Sequence, residues 1–417
     1  MSDSSANSTL INTSREPDCP TPLGRQPKVV IGHPFIGRGG SEERVMRLIE
    51  ALKRDYDVTV VTTGGWDLSA LNTFYGTQIR EDEVHVRIAP VPHVVRNWSA
   101  AALRGACFQR FARQIAGEYD VRISAYNPTD WGLPAAHFIA DFSWHREIRE
   151  KLHPPSPGFI YRDSILRKAY LRIAAAYARP SGRDILRDDR VFANSRWTAN
   201  LIREYYGVDC AGVVYPSVWT EFPNIPWEDK EQAFVMIGRI APEKQVERAI
   251  AILEAVRQRG YAIRFHLCGH ISDDLYGRRI ARLCQERTDW IIPEGSVGGA
   301  RKARILANCR FGIQTCAAEA FGISVAEMAK AGAIVFAHDD GGQTEILQHP
   351  DLLFANVDDA VEKIRTVLDD PARRSALRVH LKNQAEHFSV QTFMQEARAC
   401  VADALMVEQR SSCTVIR

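Results

Sequence analysis

With 417 residues the chain is longer than one ordinary core serves, so two domains of about 150 to 200 residues each are expected. Its 45% hydrophobic and 25% charged residues give the balance of a soluble globular protein, and no apolar run approaches the roughly 20 residues that span a bilayer. A formal net charge of +2 gives no global pull toward nucleic acid, so any basic surface is local.

The first stretch, "MSDSSANSTLINTSREPDCPTPLGRQP", is rich in Ser, Asn, Thr and Pro and lacks the charged and apolar regions of a signal peptide. It reads as a disordered tail over 1–27. The nine cysteines are odd in number and scattered, with no C-x-x-C pair, which favours a reducing cytosol over a disulfide framework or a zinc site. The sequons at Asn7 and Asn12 then carry no meaning.

"KVVIGH" (28–33) is an apolar strand that runs into the Gly-rich loop "PFIGRGGS". In "EERVMRLIEALKRD", Val45, Leu48, Ile49 and Leu52 fall at i, i+3, i+4 and i+7, one helical face. "DVTVVT" (57–62) is the next strand. Strand, glycine loop, helix and strand open a doubly wound α/β domain. Further strands are expected at 84–90, 121–126, 135–141, 190–195 and 212–216. The Pro-rich, aperiodic "PSVWTEFPNIPWEDKEQ" is the natural linker. A second α/β series starts at "AFVMIGR" (233–239) and continues with strands at 262–269, 289–295, 311–316 and 333–342, and helices near 300–309 and 322–331. The expected division is 28–216, 217–388 and a final helix over 389–417 that returns to the first domain. A cleft between two such domains suits a small-molecule site.

"GRIAPEKQ" follows the first strand of the second series. It puts Arg239 at the strand's carboxyl end and Lys244 at the entrance to the next helix, where open α/β sheets bind ligands. Two cations there suit a diphosphate; two solvated surface cations are the other reading. In "EAFGISVAE", Glu319 falls on the loop after a buried strand, and Gly322-Ile323 opens a helix that stops at Gly332. The free N–H groups of its first turn form an anion site. Glu327 lies a turn further in, facing the same ligand or simply solvent.

Together these residues resemble the retaining, two-domain nucleotide-sugar glycosyltransferases of glycosyltransferase family 4, with the GT-B fold. The resemblance covers about 28 to 400 and rests on "EAFGISVAE", on Gly238, Arg239, Glu243 and Lys244, on "GRGGSEE", and on "DDGGQTEIL" with Gly341, Gly342 and Glu345. It implies two doubly wound Rossmann-like domains facing each other across a cleft. Arg239 and Lys244 would hold the donor diphosphate, Glu319 would face the transferred sugar, and Glu327 would bind the ribose. The backbone of Phe321, Gly322 and Ile323 would meet sugar and phosphate, and the loop at Gly39 and Gly40 would close over the phosphates. A His that the family often carries near the donor sugar is not evident in "HFIADFSWH": His137, Asp141 and His145 stay open, with Asp141 best placed at the strand end as a catalytic group. Neither "RDDR" (187–190) nor "HDDGG" (338–342) has metal-binding surroundings, so no metal and no cofactor is expected.

Over 145–183 nine Lys/Arg stand against three acids, a net of +6, with Phe159, Tyr161, Ile165, Leu166, Tyr170, Leu171 and Tyr177 interleaved. That fits a segment resting on anionic lipid at the inner face of the cell membrane, or an amphipathic helix with a solvated basic face. "RNWSAAALRGACFQRFARQ" (96–114) is similar. "VFANSRWTANLIREYYGV" and "VVYPSV" resemble the eukaryotic ER mannosyltransferases that extend lipid-linked oligosaccharide. The expected activity is transfer of a hexose from a nucleoside-diphosphate sugar, GDP-mannose or a UDP-hexose, to a glycan or lipid-linked acceptor, with no nucleic-acid partner. The rivals are an NAD-dependent oxidoreductase, for which G-x-G-x-x-G is missing, and a non-catalytic nucleotide-sugar binder.

Overall fold

Val29, Val30 and Ile31 are apolar without alternation, which suits a strand covered by helices on both faces, and all three are fully buried. The computed structural model describes residues 25–93, 100–142, 144–145, 147–148 and 165–415, with side chains through 407. The first half contains β1 (Lys28–Gly32), α1 (Gly40–Leu52), β2 (Asp57–Thr62), α2 (Leu68–Tyr75), β3 (His85–Ile88), α3 (Ala101–Ile115), β4 (Val121–Ser124) and β5 (Ala136–Ile139). It continues with α4 (Ile165–Ala178), α5 (Ile185–Asp188), β6 (Arg190–Ala193), α6 (Arg196–Tyr206) and β7 (Gly212–Val213). The second half holds β8 (Glu231–Ile237), α7 (Val246–Gln258), β9 (Arg264–Cys268), α8 (Leu275–Gln285), β10 (Ile291–Gly295), α9 (Gly299–Asn308) and β11 (Cys309–Gln314). After it come α10 (Ile323–Lys330), β12 (Ile334–His338), α11 (Gln343–Leu347), β13 (Leu353–Phe354), α12 (Val357–Asp369), α13 (Pro371–Glu386) and α14 (Val390–Val415).

Two parallel sheets result, ordered β3-β2-β1-β4-β5-β6-β7 and β10-β9-β8-β11-β12-β13. In each, the first strand of the series sits centrally and the order reverses beside it, so a crevice opens at the strands' carboxyl ends. Both sheets are doubly wound, as the sequence implied. Several strands are shorter than expected. The run at 135–141 yields β5 of four residues, leaving Asp141 two residues beyond its end. The run at 212–216 yields a two-residue strand at the sheet edge.

The tail expected over 1–27 lies outside the described residues up to 24; from Arg25 the chain is held, since its guanidinium pairs with Asp120 at 2.8 Å. At the other end, Phe393, Ala397, Cys400 and Val401 of α14 join the core formed by Ile31, Leu48, Ile49 and Val60. The last helix thus crosses back and packs on α1, where Arg398 Nε donates to the Ala51 carbonyl at 2.8 Å.

The stripe of Val45, Leu48, Ile49 and Leu52 is buried as its spacing predicts. The same helix also buries Glu43, Arg44 and Arg47, which a solvent-facing side would have left in water. Glu43 Oε1 accepts from the Ser217 hydroxyl and from Arg47 Nε, while Oε2 has no partner. Burial pushes the Glu43 carboxyl up to about 7, against the opposite pull of Ser217, Arg47 and Arg44. Folded protein therefore keeps this proton between pH 4.5 and about 7, where the unfolded chain has released it. Stability falls as pH rises across that window and is level above it. At about 1.4 kcal/mol per unit, the loss is roughly 3 kcal/mol. Glu43→Gln, which mimics the protonated form, is expected to melt several degrees above wild type at pH 8 and near it at pH 5. Equal melting temperatures at pH 8 would refute the assignment.

Candidate active site

The carboxyl ends of β4, β5, β6, β8 and β11 converge on one cavity of about 670 Å³ between the two sheets. Gly39, Gly40, Arg44, Tyr126, Asp141 and Asn194 line it from the first half. Arg239, Lys244, Glu319, Phe321, Gly322 and Ile323 line it from the second. Every site residue expected from the sequence is on this wall except Glu327.

Lys244 closes a short 3-10 turn, Pro242–Lys244, and Gln245 then adopts a left-handed φ of 49° before α7. Such a conformation costs energy in a non-glycine residue. It is held by the Thr315 hydroxyl at the end of β11, which donates to the carbonyls of Lys244 (2.8 Å) and Gln245 (2.9 Å). The loop is thereby tied to the neighbouring strand, and Lys244 Nζ meets the Glu319 carboxylate in an ion pair. Burial is the largest single influence and works to lower the Lys244 pKa, but the charge and hydrogen bond of Glu319 together with Cys316 outweigh it and the net shift is upward. Arg239 pairs with Glu243 at 2.9 Å and is 78% exposed, a cation at the cavity rim with room to turn inward.

Glu319 stands in the loop between β11 and α10, and a second loop pins that one from behind. Gly342 N–H donates to the Glu319 carbonyl at 2.8 Å, and Gln343 Nε2 donates to the carbonyl of Cys316 at 2.9 Å. At Gly341, which has φ +81°, a Cβ would lie 2.6 Å from the Glu319 carbonyl oxygen. A side chain there would push the Glu319 loop out of place. Gly322 precedes α10 with φ +102°, and Gly322, Ile323 and Ser324 present the start of that helix to the cavity. Its unpaired N–H groups favour an anion. Gly332 follows the helix with φ +84°, as the C′ reading expects.

Glu327 takes a different position. It is 5% exposed and lies on α10 behind the cavity wall. There Oε1 accepts from the Thr220 hydroxyl at 2.7 Å and from Lys302 Nζ at 2.5 Å, and Lys302 also sits over the Trp219 ring.

The three residues left open after β5 now separate. His137 is fully buried between Ser124 Oγ and Asp189 Oδ2, each at 2.9 Å, which is a structural role. His145 packs edge-on against Tyr205 and Tyr206. Asp141 alone of the three lines the cavity, where Tyr126 donates to its Oδ2 at 3.1 Å.

Residues 38–222 match the family described as Glycosyltransferase Family 4, and residues 217–388 match Glycosyl transferases group 1. The chain belongs to the GT-B glycosyltransferases. Among curated relatives of this glycosyltransferase is the GDP-Man:Man(3)GlcNAc(2)-PP-Dol alpha-1,2-mannosyltransferase of Mus musculus, 29% identical over 204 residues. That match covers 44% of this chain and 41% of the mouse protein. The Homo sapiens protein of the same description is 27% identical over 259 residues, 57% and 53% of the two chains. The chain thus spans about half the length of the curated relatives it matches. Among solved structures, Anabaena HepE in complex with UDP and glucose superimposes with a TM-score of 0.63 at 16% identity, covering 90% of this chain and 100% of that one. WaaG, a glycosyltransferase involved in lipopolysaccharide biosynthesis, gives 0.63 at 16% identity, with 89% and 99% covered. These two likenesses speak to the fold.

In this glycosyltransferase the two halves are gripped beside the cavity. Glu345, in the first turn of α11 just after the Gly341-Gly342 loop, reaches across to the start of α6 and accepts from Arg196 N–H (2.9 Å), Trp197 N–H (2.8 Å) and the Tyr215 hydroxyl (2.8 Å). A carboxylate at a helix N-terminus satisfies free N–H groups and suits the dipole. Ser195 Oγ donates to the Ala320 carbonyl at 2.6 Å, next to Glu319. A Cβ on Gly40 would lie 2.6 Å from Ile323 Cδ1, so that glycine marks a close approach between the halves.

Sequence reasoning missed Arg44, Tyr126 and Asn194. Arg44 is a polar position of an amphipathic helix, yet its Nη1 donates to the Phe138 carbonyl at 2.8 Å below the cavity. Burial pushes its pKa down to about 10, opposed by Glu43 and Asp141. No local pattern distinguishes such a residue from a solvated one. Among the described residues no group of three or more His, Cys, Asp or Glu could hold a metal ion, and no helix is long and apolar enough to cross a membrane.

Proposed function

We propose that the protein is a retaining hexosyltransferase that takes a hexose from a nucleoside-diphosphate sugar, GDP-mannose, to a lipid-linked glycan. The carrying observation is the convergence of Lys244, Arg239 and the start of α10 on one cavity that Glu319 also faces. GDP-Man is part of the name of the mouse and human mannosyltransferases that the chain resembles; the UDP and glucose of the HepE complex make UDP-glucose the second donor to try.

An ammonium has three N–H donors, and Glu319 uses one. The others can meet a β-phosphate while Lys244 stays fixed by Glu319, and Arg239 can swing in as a forked donor. Neutralised from three sides, the diphosphate becomes a better leaving group without a metal. In front-face transfer the C1–O bond to the phosphate breaks as the acceptor oxygen bonds C1 on the same side. The acceptor's proton passes to the departing phosphate oxygen. Asp141, fixed by Tyr126, faces the reacting sugar from the opposite wall.

Thermal melting with GDP-mannose, UDP-glucose and UDP-N-acetylglucosamine tests the donor. A ligand at a hundred times its Kd adds about 2.7 kcal/mol. A selective rise with GDP-mannose is expected, and no rise with any of the three would sink the reading.

Part of the basic stretch, including Arg146, Arg149, Lys151 and Arg162, lies outside the described residues. The described part supports a lipid surface: α4 packs on α3, with Tyr170 OH accepting from Ala102 N–H at 3.1 Å. Ile165 and Leu166 on α4 are 87% and 83% exposed, beside Arg167, Lys168 and Arg172. The exposed first turns of this helix, apolar and basic together, suit an anionic bilayer. Changing Arg167, Lys168 and Arg172 to Gln is expected to release the protein from phosphatidylserine vesicles, each charge contributing about 1 kcal/mol. Wild-type protein that stays in the supernatant at low salt would remove this surface from the proposal.

A further inference from the structure

Asn194 stands just past the end of β6 and is 5% exposed. Its Nδ2 donates to the Ala140 carbonyl at 2.7 Å, and because a carbonyl can only accept, this bond fixes which way the amide points. Oδ1 is left facing away from Ala140 with no partner. Several buried side chains of the described residues carry an unpaired polar atom, but only this one belongs to a residue lining the cavity. A buried acceptor without a donor is costly, and proteins rarely keep one without a use. The next residue, Ser195, is bonded to Ala320, so Asn194 is held at the same seam as the Glu319 loop.

What could satisfy Oδ1 must carry a proton to donate. An ionised diphosphate has none, whereas a hexose carries several hydroxyls. We infer that Asn194 selects the transferred hexose by accepting a hydrogen bond from one of its hydroxyls. The inference rests on the donor reading above and adds a specificity residue to it. A donor lacking that hydroxyl would leave Oδ1 buried and unpaired again, so the site discriminates against it.

The test is a cycle of protein and donor changes read by titration calorimetry. GDP-mannose and its 2-, 3-, 4- and 6-deoxy forms are titrated into wild type, Asn194→Ala and Asn194→Ser, and the UDP-glucose series is run beside them. In wild type one deoxy form is expected to bind about tenfold more weakly than its parent. In Asn194→Ala that penalty should shrink to within about twofold, and Asn194→Ser, which can still accept, should restore part of it. GDP and UDP, which lack the sugar, serve as controls for folding of the variants. If the deoxy profile of Asn194→Ala matches wild type, the inference falls and the acceptor glycan becomes the partner to test. If wild type binds neither parent donor, the donor reading falls and this inference with it.

Discussion

Glu319→Gln is expected to lower turnover about a hundredfold while leaving affinity for the bare nucleoside diphosphate within about threefold. The reason is its place: the carboxylate lines the cavity at the end of β11 and bonds Lys244, whose other N–H groups remain for phosphate. A neutral amide can still accept from the ammonium but loses the charge that supports positive character building on the sugar. Lys244→Ala should behave differently. It removes a cation opposite the diphosphate, where charged hydrogen bonds contribute about 1.5 to 3 kcal/mol, so nucleotide affinity should fall about ten- to a hundredfold. Lys244→Arg should restore it only in part, because a planar fork cannot occupy the space of a point charge beside Glu319. Calorimetry with GDP and UDP, beside steady-state rates with the sugar donors, separates the two effects. Wild-type rates in Glu319→Gln would take that residue out of the mechanism.

Glu327→Gln is expected to destabilise the protein before it says anything about nucleotide. Its carboxylate is buried against Lys302 and Thr220, and removing one partner of a buried pair costs about 3 to 5 kcal/mol. Lys302 is then left with its charge and no counter-charge. A double variant, Glu327→Gln with Lys302→Gln, should recover much of the melting temperature. The ribose role implied by the family resemblance requires that nucleotide affinity stay low in that stable double variant. Recovery of both stability and affinity would make Glu327 a structural residue that holds α10 to α9 and the linker.

What could be read in advance was whatever rests on short-range order. The β1 run, the α1 stripe, the glycine loops and the restart at "AFVMIGR" are local patterns, because strand and helix periods and the left-handed tolerance of glycine are properties of neighbouring residues. Arg239, Lys244 and Glu319 were also legible, since each sits just past an apolar strand, and a parallel sheet brings such loops to one edge. Their meeting in one cavity followed from topology, not from any separation along the chain.

Local pattern was enough for two doubly wound halves and for the loops that carry the cations and Glu319. Tertiary structure alone decided which polar residues face the cavity. Glu327 and Arg44 both look like solvated helix positions; α9 and the linker cover the first, and the sheet's carboxyl edge covers the second. His137 and Asp141 are four residues apart, yet one is locked between Ser124 and Asp189 and the other opens on the cavity. The run around Asn194 carries a family resemblance, but nothing in it singles that residue out. Its unpaired oxygen exists only because β5 and β6 lie side by side and put the Ala140 carbonyl within reach of its nitrogen. Burial is set by what packs from elsewhere in the chain, and the cost of a lone charge or acceptor is set by burial.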